Sequence, residues 1–168
     1  LEVLTASRLD AQAAFESGEV ELVGLAAEEA ARSGAELDAE VPTMLVRGDE
    51  RLLRRALRNL LENARRYGGE AVELSLRQGP LAGPGSSSAA PVPMVELRIA
   101  DRGAGVPADM RERIFEPFFR LPGHAEQQGG VGLGLSLVRQ IAERHHGRVR
   151  CEPRDGGGSV FVLELPAA

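Results

Sequence analysis

The sequence predicts an α+β domain, and two kinds of periodicity predict it. Residues 20–33, 54–68 and 131–146 carry apolar side chains at the three- and four-residue spacing of helices with one buried face. Residues 35–40, 71–77 and 94–100 instead alternate apolar and polar, as half-buried strands do, and residues 148–152 and 159–165 read as two further strands. At 168 residues, with 43% hydrophobic and 27% charged side chains, the chain fits one soluble domain with a genuine core.

The totals exclude several classes. A net charge of −5 argues against a broad nucleic-acid footprint. All 20 basic residues are arginine, so any cationic contact to a phosphate is a guanidinium contact. The single cysteine, Cys151, forms no internal disulfide and reads as a small strand residue. No apolar run reaches membrane-spanning length and no signal-peptide pattern is present, so no membrane contact is expected of this segment. The chain opens without methionine and in mid-helix by pattern, the expectation for a piece of a longer protein.

Residues 1–12 (LEVLTASRLDAQ) have weak helical register and are too short to be a stable helix alone. Gly18 breaks the chain; a helix is expected over 20–33, ended by Gly34, and short strands over 35–40 and 44–46. Next comes RRALRNLLENARRYG at 54–68, with Asp49 as its expected N-cap and Gly68–Gly69 as its stop. Asn59 and Asn63 lie one turn apart beside its apolar stripe, and Arg66 follows on the same flank. Alone, the pair fits either half-exposed polar residues or a row of ligands facing a metal-bound polyphosphate. QGPLAGPGSSSAAPVP then reads as a mobile hairpin loop over 79–93, longer than such loops usually are.

DRGAGVP at 101–107 follows a strand directly, and its two glycines permit a tight turn and close approach of a ligand. RERIFEPFFR at 111–120 holds three of the five phenylalanines, the composition of a hydrophobic plug. LPGHAEQQGG at 121–130 is polar and glycine-bounded, like a movable flap. VGLGLSLVRQIAERHH at 131–146 opens with glycines before becoming a helix, so backbone N–H groups could face a phosphate there.

In this order the segments resemble the catalytic, ATP-binding domain of bacterial sensor histidine kinases. NLLEN resembles the N box, DRGAGVP the G1 box, IFEPFFR the F box, GVGLGL the G2 box and GGGSVFVLEL the closing hairpin. The resemblance runs from about residue 20 to residue 166. It implies the GHKL (Bergerat) fold, a two-layer α/β sandwich with a mixed, mostly antiparallel sheet, helices on one face and an ATP lid. Residues 1–15 are then expected to be the remnant of a phospho-acceptor hairpin, and 16–168 the catalytic domain, with F box and lid over 108–130.

The same resemblance implies the site. Asn63 matches the Mg²⁺ ligand, and a neutral amide oxygen suits a cation that keeps several waters. Asn59 supports it one turn earlier, Arg66 stands where the family often has lysine, and Tyr67 lies beside the nucleotide. Asp101 matches the carboxylate that accepts from the adenine amino group, with Gly103, Gly105 and Val106 around the base. Gly130, Val131, Gly132, Leu133, Gly134 and Leu135 match the phosphate-wrapping segment. Arg120 matches the F-box arginine that stabilises charge during transfer. ATP and Mg²⁺ are thus the implied ligands. A phospho-acceptor helical hairpin and, indirectly, a response-regulator receiver domain are the implied partners. A monomeric fragment, a homodimeric parent and a cytoplasmic domain on a membrane-anchored kinase complete the expectation.

The sequence departs from the family in two places. His145-His146-Gly147 replaces the family's His-Gly-Gly, and a small stability cost is expected from histidine in a left-handed cap. None of His124, His145 and His146 has an acceptor context, so the chain is expected to lack its own phosphorylation site. The rivals are an ATP-hydrolysing clamp of the Hsp90, gyrase or MutL type, a nucleotide-sensing module without catalysis, and an anti-sigma serine kinase. The clamps carry a general-base glutamate four residues before the metal-binding asparagine; here that residue is Asn59, and Glu62 points elsewhere around the helix.

Overall fold

The computed structural model describes residues 15–69, 71–82, 92–119 and 134–168. The expected hairpin remnant before residue 15, the middle of the 79–93 loop, Arg120, the lid over 121–130 and Val131 to Leu133 lie outside the described residues. The elements run β1 (Gly18–Glu21), α1 (Leu22–Ser33), β2 (Glu36–Ala39), β3 (Leu45–Gly48), α2 (Glu50–Gly68), β4 (Glu73–Ala82), β5 (Val92–Ala100), two single 3₁₀ turns at Ala108–Met110 and Arg113–Phe115, α3 (Gly134–Arg144), β6 (Arg148–Pro153) and β7 (Ser159–Pro166).

The main sheet has the order β2-β4-β5-β7-β6, with β2 parallel to β4 and every other pair antiparallel. The strand period of two sorts its residues. Leu74, Leu76, Leu97, Ile99, Phe161, Leu163 and Leu165 face inward and are almost wholly buried. Against them pack Leu25 and Ala26 of α1, Leu53, Leu57, Leu60 and Leu61 of α2, and Val138, Ile141 and Ala142 of α3. Among the described residues all three α-helices thus lie on one face, the two-layer arrangement expected. β1 and β3 form a separate antiparallel pair.

Two expectations need correction. The first helix starts at Leu22, not Val20, because Glu21 is its N-cap: Oε2 accepts from the N–H groups of Val23 (2.9 Å) and Met44 (3.0 Å), and Oε1 from Gly24 (3.0 Å). Burial pushes this carboxyl up, but those bonds outweigh it and hold the pKa below the usual glutamate value. The loop expected at 79–93 is shorter, since β4 continues to Ala82 and β5 begins at Val92. Gly79-Pro80 reads as a strand breaker, yet the pair falls where the β4–β5 register shifts, and a bulge accommodates proline.

Asp49 is the N-cap of α2 as expected, accepting from Arg51 and Leu52 N–H at 3.0 and 3.4 Å. The end of α3 is a Schellman motif: His146 N–H bonds Glu143 O at 3.1 Å and Gly147 N–H bonds Ala142 O at 2.9 Å, with His146 at φ 61°. The histidine that replaces the family glycine therefore occupies the left-handed position.

Candidate nucleotide-binding site

The C-terminal end of α2 and the start of the β5–α3 connection meet in a cleft with about 570 Å³ of empty space, its mouth included. Its walls are Asn63 and Tyr67 from α2, Asp101, Ala104, Gly105 and Val106 after β5, Ile114 and Phe119 from the F box, Leu135 from α3, and Ser159 and Phe161 from β7. Residues far apart in sequence are thus brought together, a few polar groups among apolar ones.

The polar end is fixed by close packing of two backbones. A Cβ on Gly68 would overlap the side chain of Asp101, and a Cβ on Gly103 would overlap the carbonyl oxygen of Tyr67. Glycine at both places lets the loop after β5 lie directly on the end of α2. Gly103 is expected to let the base approach closely; its bareness also admits α2, and it is not among the described walls of the cleft. Gly105, at φ 80°, needs glycine for its left-handed turn.

Asp101 is 4% exposed and firmly oriented. Its own N–H donates to Ser159 O at 2.9 Å, while Oδ1 accepts from Gly103 N–H at 2.9 Å and Ser159 N–H at 3.3 Å. Both of these side-chain bonds fall on Oδ1, which leaves Oδ2 as the acceptor for a ligand. A fixed carboxylate oxygen beside apolar Val106, Ile114, Leu135 and Phe161 suits a flat ring that offers an N–H donor.

Among the described residues, Asn63, half-buried one turn before Tyr67, brings the only side-chain amide to the walls of the cleft. Among the described residues no group of three or more His, Cys, Asp or Glu could hold a metal. The neutral amide oxygen of Asn63 is a donor of the kind a hard cation that keeps several waters accepts. Asn59 and Arg66 lie off the cleft walls, Arg66 exposed. Gly134 is the first residue of α3 and exposed.

The plug reading of the F box is half of what is seen. Ile114 and Phe115 are buried, and Phe115 meets Phe161 edge-on at 6.1 Å. Phe118 instead is 57% exposed at φ 65°, and Arg113 stacks on Phe119 at 4.8 Å. Sequence reasoning missed Ala104, Ile114, Phe119, Ser159 and Phe161 as walls. The signal for Ser159 was its place right after the GGG turn, whose last glycine packs on the Asp101 carbonyl. Cys151 is buried with its thiol pushed up to about 11, an inert strand residue as expected.

A two-layer sandwich with its described helices on one face, and a cleft pairing a strand-end aspartate with a helix-borne asparagine, defines a class of nucleotide-binding ATPase domains. Residues 48–168 match the family described as histidine kinase-, DNA gyrase B- and HSP90-like ATPase, and the chain belongs to that family. It is similar to the sensor-like histidine kinase SenX3 of Mycobacterium tuberculosis, 38% identical over 136 residues, covering 79% of this chain and 30% of that protein. It is also similar to the sensor histidine kinase AruS of Pseudomonas aeruginosa, 41% identical over 124 residues, covering 73% of this chain and 12% of that one. Among solved structures, the ATP binding domain of PrrB from Mycobacterium tuberculosis is 32% identical with a TM-score of 0.65, covering 91% of this chain and 98% of that one. The mycobacterial sensor histidine kinase MprB gives 28% and 0.68, covering 89% and 97%. The chain thus spans less than a third of the curated kinases it matches, and nearly all of the isolated domains.

Proposed function

We propose that this domain binds Mg-ATP and passes the γ-phosphoryl group to a histidine on a separate helical hairpin, as the catalytic part of a two-component sensor kinase. The observation that carries the reading is the pairing of Asp101 and Asn63 in one cleft, with a neutral Asn59 where a hydrolytic clamp needs a base. Asp101 Oδ2 receives the adenine amino group while Gly103 and Ser159 hold Oδ1. Asn63 completes the coordination of Mg²⁺, which when bound neutralises charge on the phosphates. Tyr67, Gly105, Val106 and Leu135 enclose the nucleotide. Arg66, Asn59, Arg120 and the segment from Gly130 to Gly134 take the phosphate-facing roles that the resemblance implies. In the transfer the bond from the γ-phosphorus to the β–γ bridging oxygen breaks, ADP leaves, and a nitrogen of the acceptor imidazole gains the phosphoryl group.

The kinase similarity supports a receiver domain as the onward partner, a dimeric parent and a membrane-anchored architecture with this domain on the cytoplasmic side. Among the described residues no helix is long and apolar enough to cross a membrane.

Two measurements test the reading. Calorimetric titration with a non-hydrolysable ATP analogue should show Mg²⁺ strengthening binding, and Asn63→Ala should remove that enhancement. With labelled γ-phosphate, the chain alone should neither label nor hydrolyse ATP quickly, while mixing with a dimeric hairpin bearing the acceptor histidine should label the hairpin slowly, for want of a tether. Stable label on His124, His145 or His146, or rapid hydrolysis by the chain alone, would overturn it.

A further inference from the structure

Phe15 and Glu16, at the start of the described chain, are both fastened to one spot. The Phe15 ring lies 4.9 Å from the His145 ring, and the Arg144 guanidinium covers it at 5.3 Å. Glu16 N–H donates to Asp49 Oδ2 at 3.1 Å, and its carboxylate meets Arg51 at 3.7 Å. His145 and Asp49 are themselves joined, for Asp49 N–H donates to His145 Nε2 at 3.0 Å. His145 Nδ1 lies 2.7 Å from the Ile141 carbonyl oxygen, which can only accept, so Nδ1 carries the proton and Nε2 the lone pair. The ring is 4% exposed, and Gly48 packs so closely on it that no Cβ would fit. The nucleotide site uses none of this.

We infer that the joint is a proton-gated latch on the segment where the chain enters the domain: neutral His145 holds residues 15–16 down, and protonated His145 releases them. A proton on Nε2 would set donor against donor at Asp49 N–H, in a site closed to water by Gly48 and Phe15. The ring must then leave its place, and Phe15 loses its floor. The charges around it oppose one another. Asp49, at the start of α2, favours the imidazolium; Arg144 and His146, on its own helix end, disfavour it; Glu16 and Arg51 pair at the rim and largely cancel. Burial, and then Arg144 and His146, keep the ring's pKa below the ordinary 6.5 despite Asp49 and the Ile141 bond. Closed latch therefore means neutral ring, and opening takes up one proton as pH falls below 6.5.

Native-state amide exchange on the ¹⁵N-labelled chain tests this without nucleotide. Between the pKa values of the closed and open states, protection of the Glu16 and Asp49 amides, corrected for intrinsic rates, should fall about tenfold per pH unit. The amides of Leu57 and Leu60 in α2 should keep theirs. His145→Gln supplies an acceptor that does not titrate, and its protection at Glu16 should be flat from pH 7 to 5. A second measurement needs no variant: the imidazole ¹⁵N shifts of His145 and the ring-proton shifts of Phe15 should titrate with one midpoint. Flat protection in the wild-type chain, an equal fall in His145→Gln, Leu57 and Leu60 falling in step with Glu16, or different midpoints would each overturn the latch.

Discussion

Single residues in this domain are legible when their chemistry is local and obscure when a neighbour sets it. His146 is the local case: its place between helix and glycine implied a left-handed cap, and its φ is 61°. A non-glycine residue there costs about 1–2 kcal/mol. Glycine returns part of that gain through the freedom of the unfolded chain, about 0.4–1 kcal/mol. His146→Gly should therefore stabilise by roughly 0.5–1 kcal/mol, a rise of about 2 °C in a thermal melt for a chain of this size. An unchanged or lower melting temperature would mean that the imidazole makes a compensating contact. Asp101 was legible as a strand-end carboxylate, but the Ser159 N–H that orients it was not, because it arrives from the far end of the chain. Asp101→Asn keeps an oxygen for those N–H groups and turns an NH₂ toward the adenine amino group, donor against donor. Affinity for an ATP analogue should drop at least about tenfold, the scale of one charge-assisted bond lost. Unchanged affinity would remove Asp101 from base recognition.

At the scale of elements, periodicity found the three described helices and every strand except β1, where Gly18 reads as a break and Val20 as the start of a helix, and caps decided where it failed. Glutamate is not a usual N-cap, so Glu21 reads as part of a helix begun at Val20 until Met44, twenty-three residues on, is seen to donate to it. A similar long-range device joins the first two helices. Glu29 of α1 is 2% exposed and accepts from Arg58 Nε and Nη2 at 2.9 and 3.1 Å and from Arg54 Nη1 at 3.0 Å. The Arg58 bonds, against burial and with help from Arg54, hold its carboxyl below the ordinary 4.5. Removing one partner of a fully buried pair costs about 3–5 kcal/mol. Here the two guanidinium groups keep some solvent, so Glu29→Ala should cost nearer 2 kcal/mol at pH 7. The contribution is complete above the unfolded-state pKa and disappears as pH falls through the folded one. Urea denaturation should therefore show the gap between wild type and variant closing toward pH 3; a gap constant with pH would assign the loss to packing alone.

At the scale of the whole molecule, what the sequence concealed is how a sheet with helices on one face manages the other. The strands alternate legibly, so Glu96, Arg98, Arg148, Arg150, Glu152 and Glu164 read as a solvated face. Yet Glu96 and Glu164 are 7% and 4% exposed, and Val162 in the neighbouring row is wholly buried. The register explains it: Arg98, Val162 and Arg150 lie in one row across β5, β7 and β6, with Glu96, Glu164 and Arg148 in the next. The two arginine stems cover the valine, and their guanidinium groups bind the glutamates together. Arg150 alone bonds Glu152 (2.6 Å), Glu164 (2.9 Å) and Glu96 (3.3 Å), while among the described residues Arg148 reaches only Glu164 (3.1 Å). Like charges opposite one another, as Glu96 and Glu164 are, destabilise a sheet unless something bridges them. A planar fork does so from three separate nitrogens, a span that a compact ammonium matches poorly, which gives the all-arginine composition a structural consequence. Arg150→Lys should thus cost about 1–2 kcal/mol, and Arg148→Lys, 62% exposed with one partner, less than about 0.5 kcal/mol. Both are read from urea midpoints in low salt and in 1 M NaCl. The Arg150 deficit should persist in salt, since its partners are shielded from solvent, whereas a surface pair is screened within a few ångströms. Equal costs for the two substitutions, or a deficit that salt abolishes, would return this face to an ordinary solvated surface.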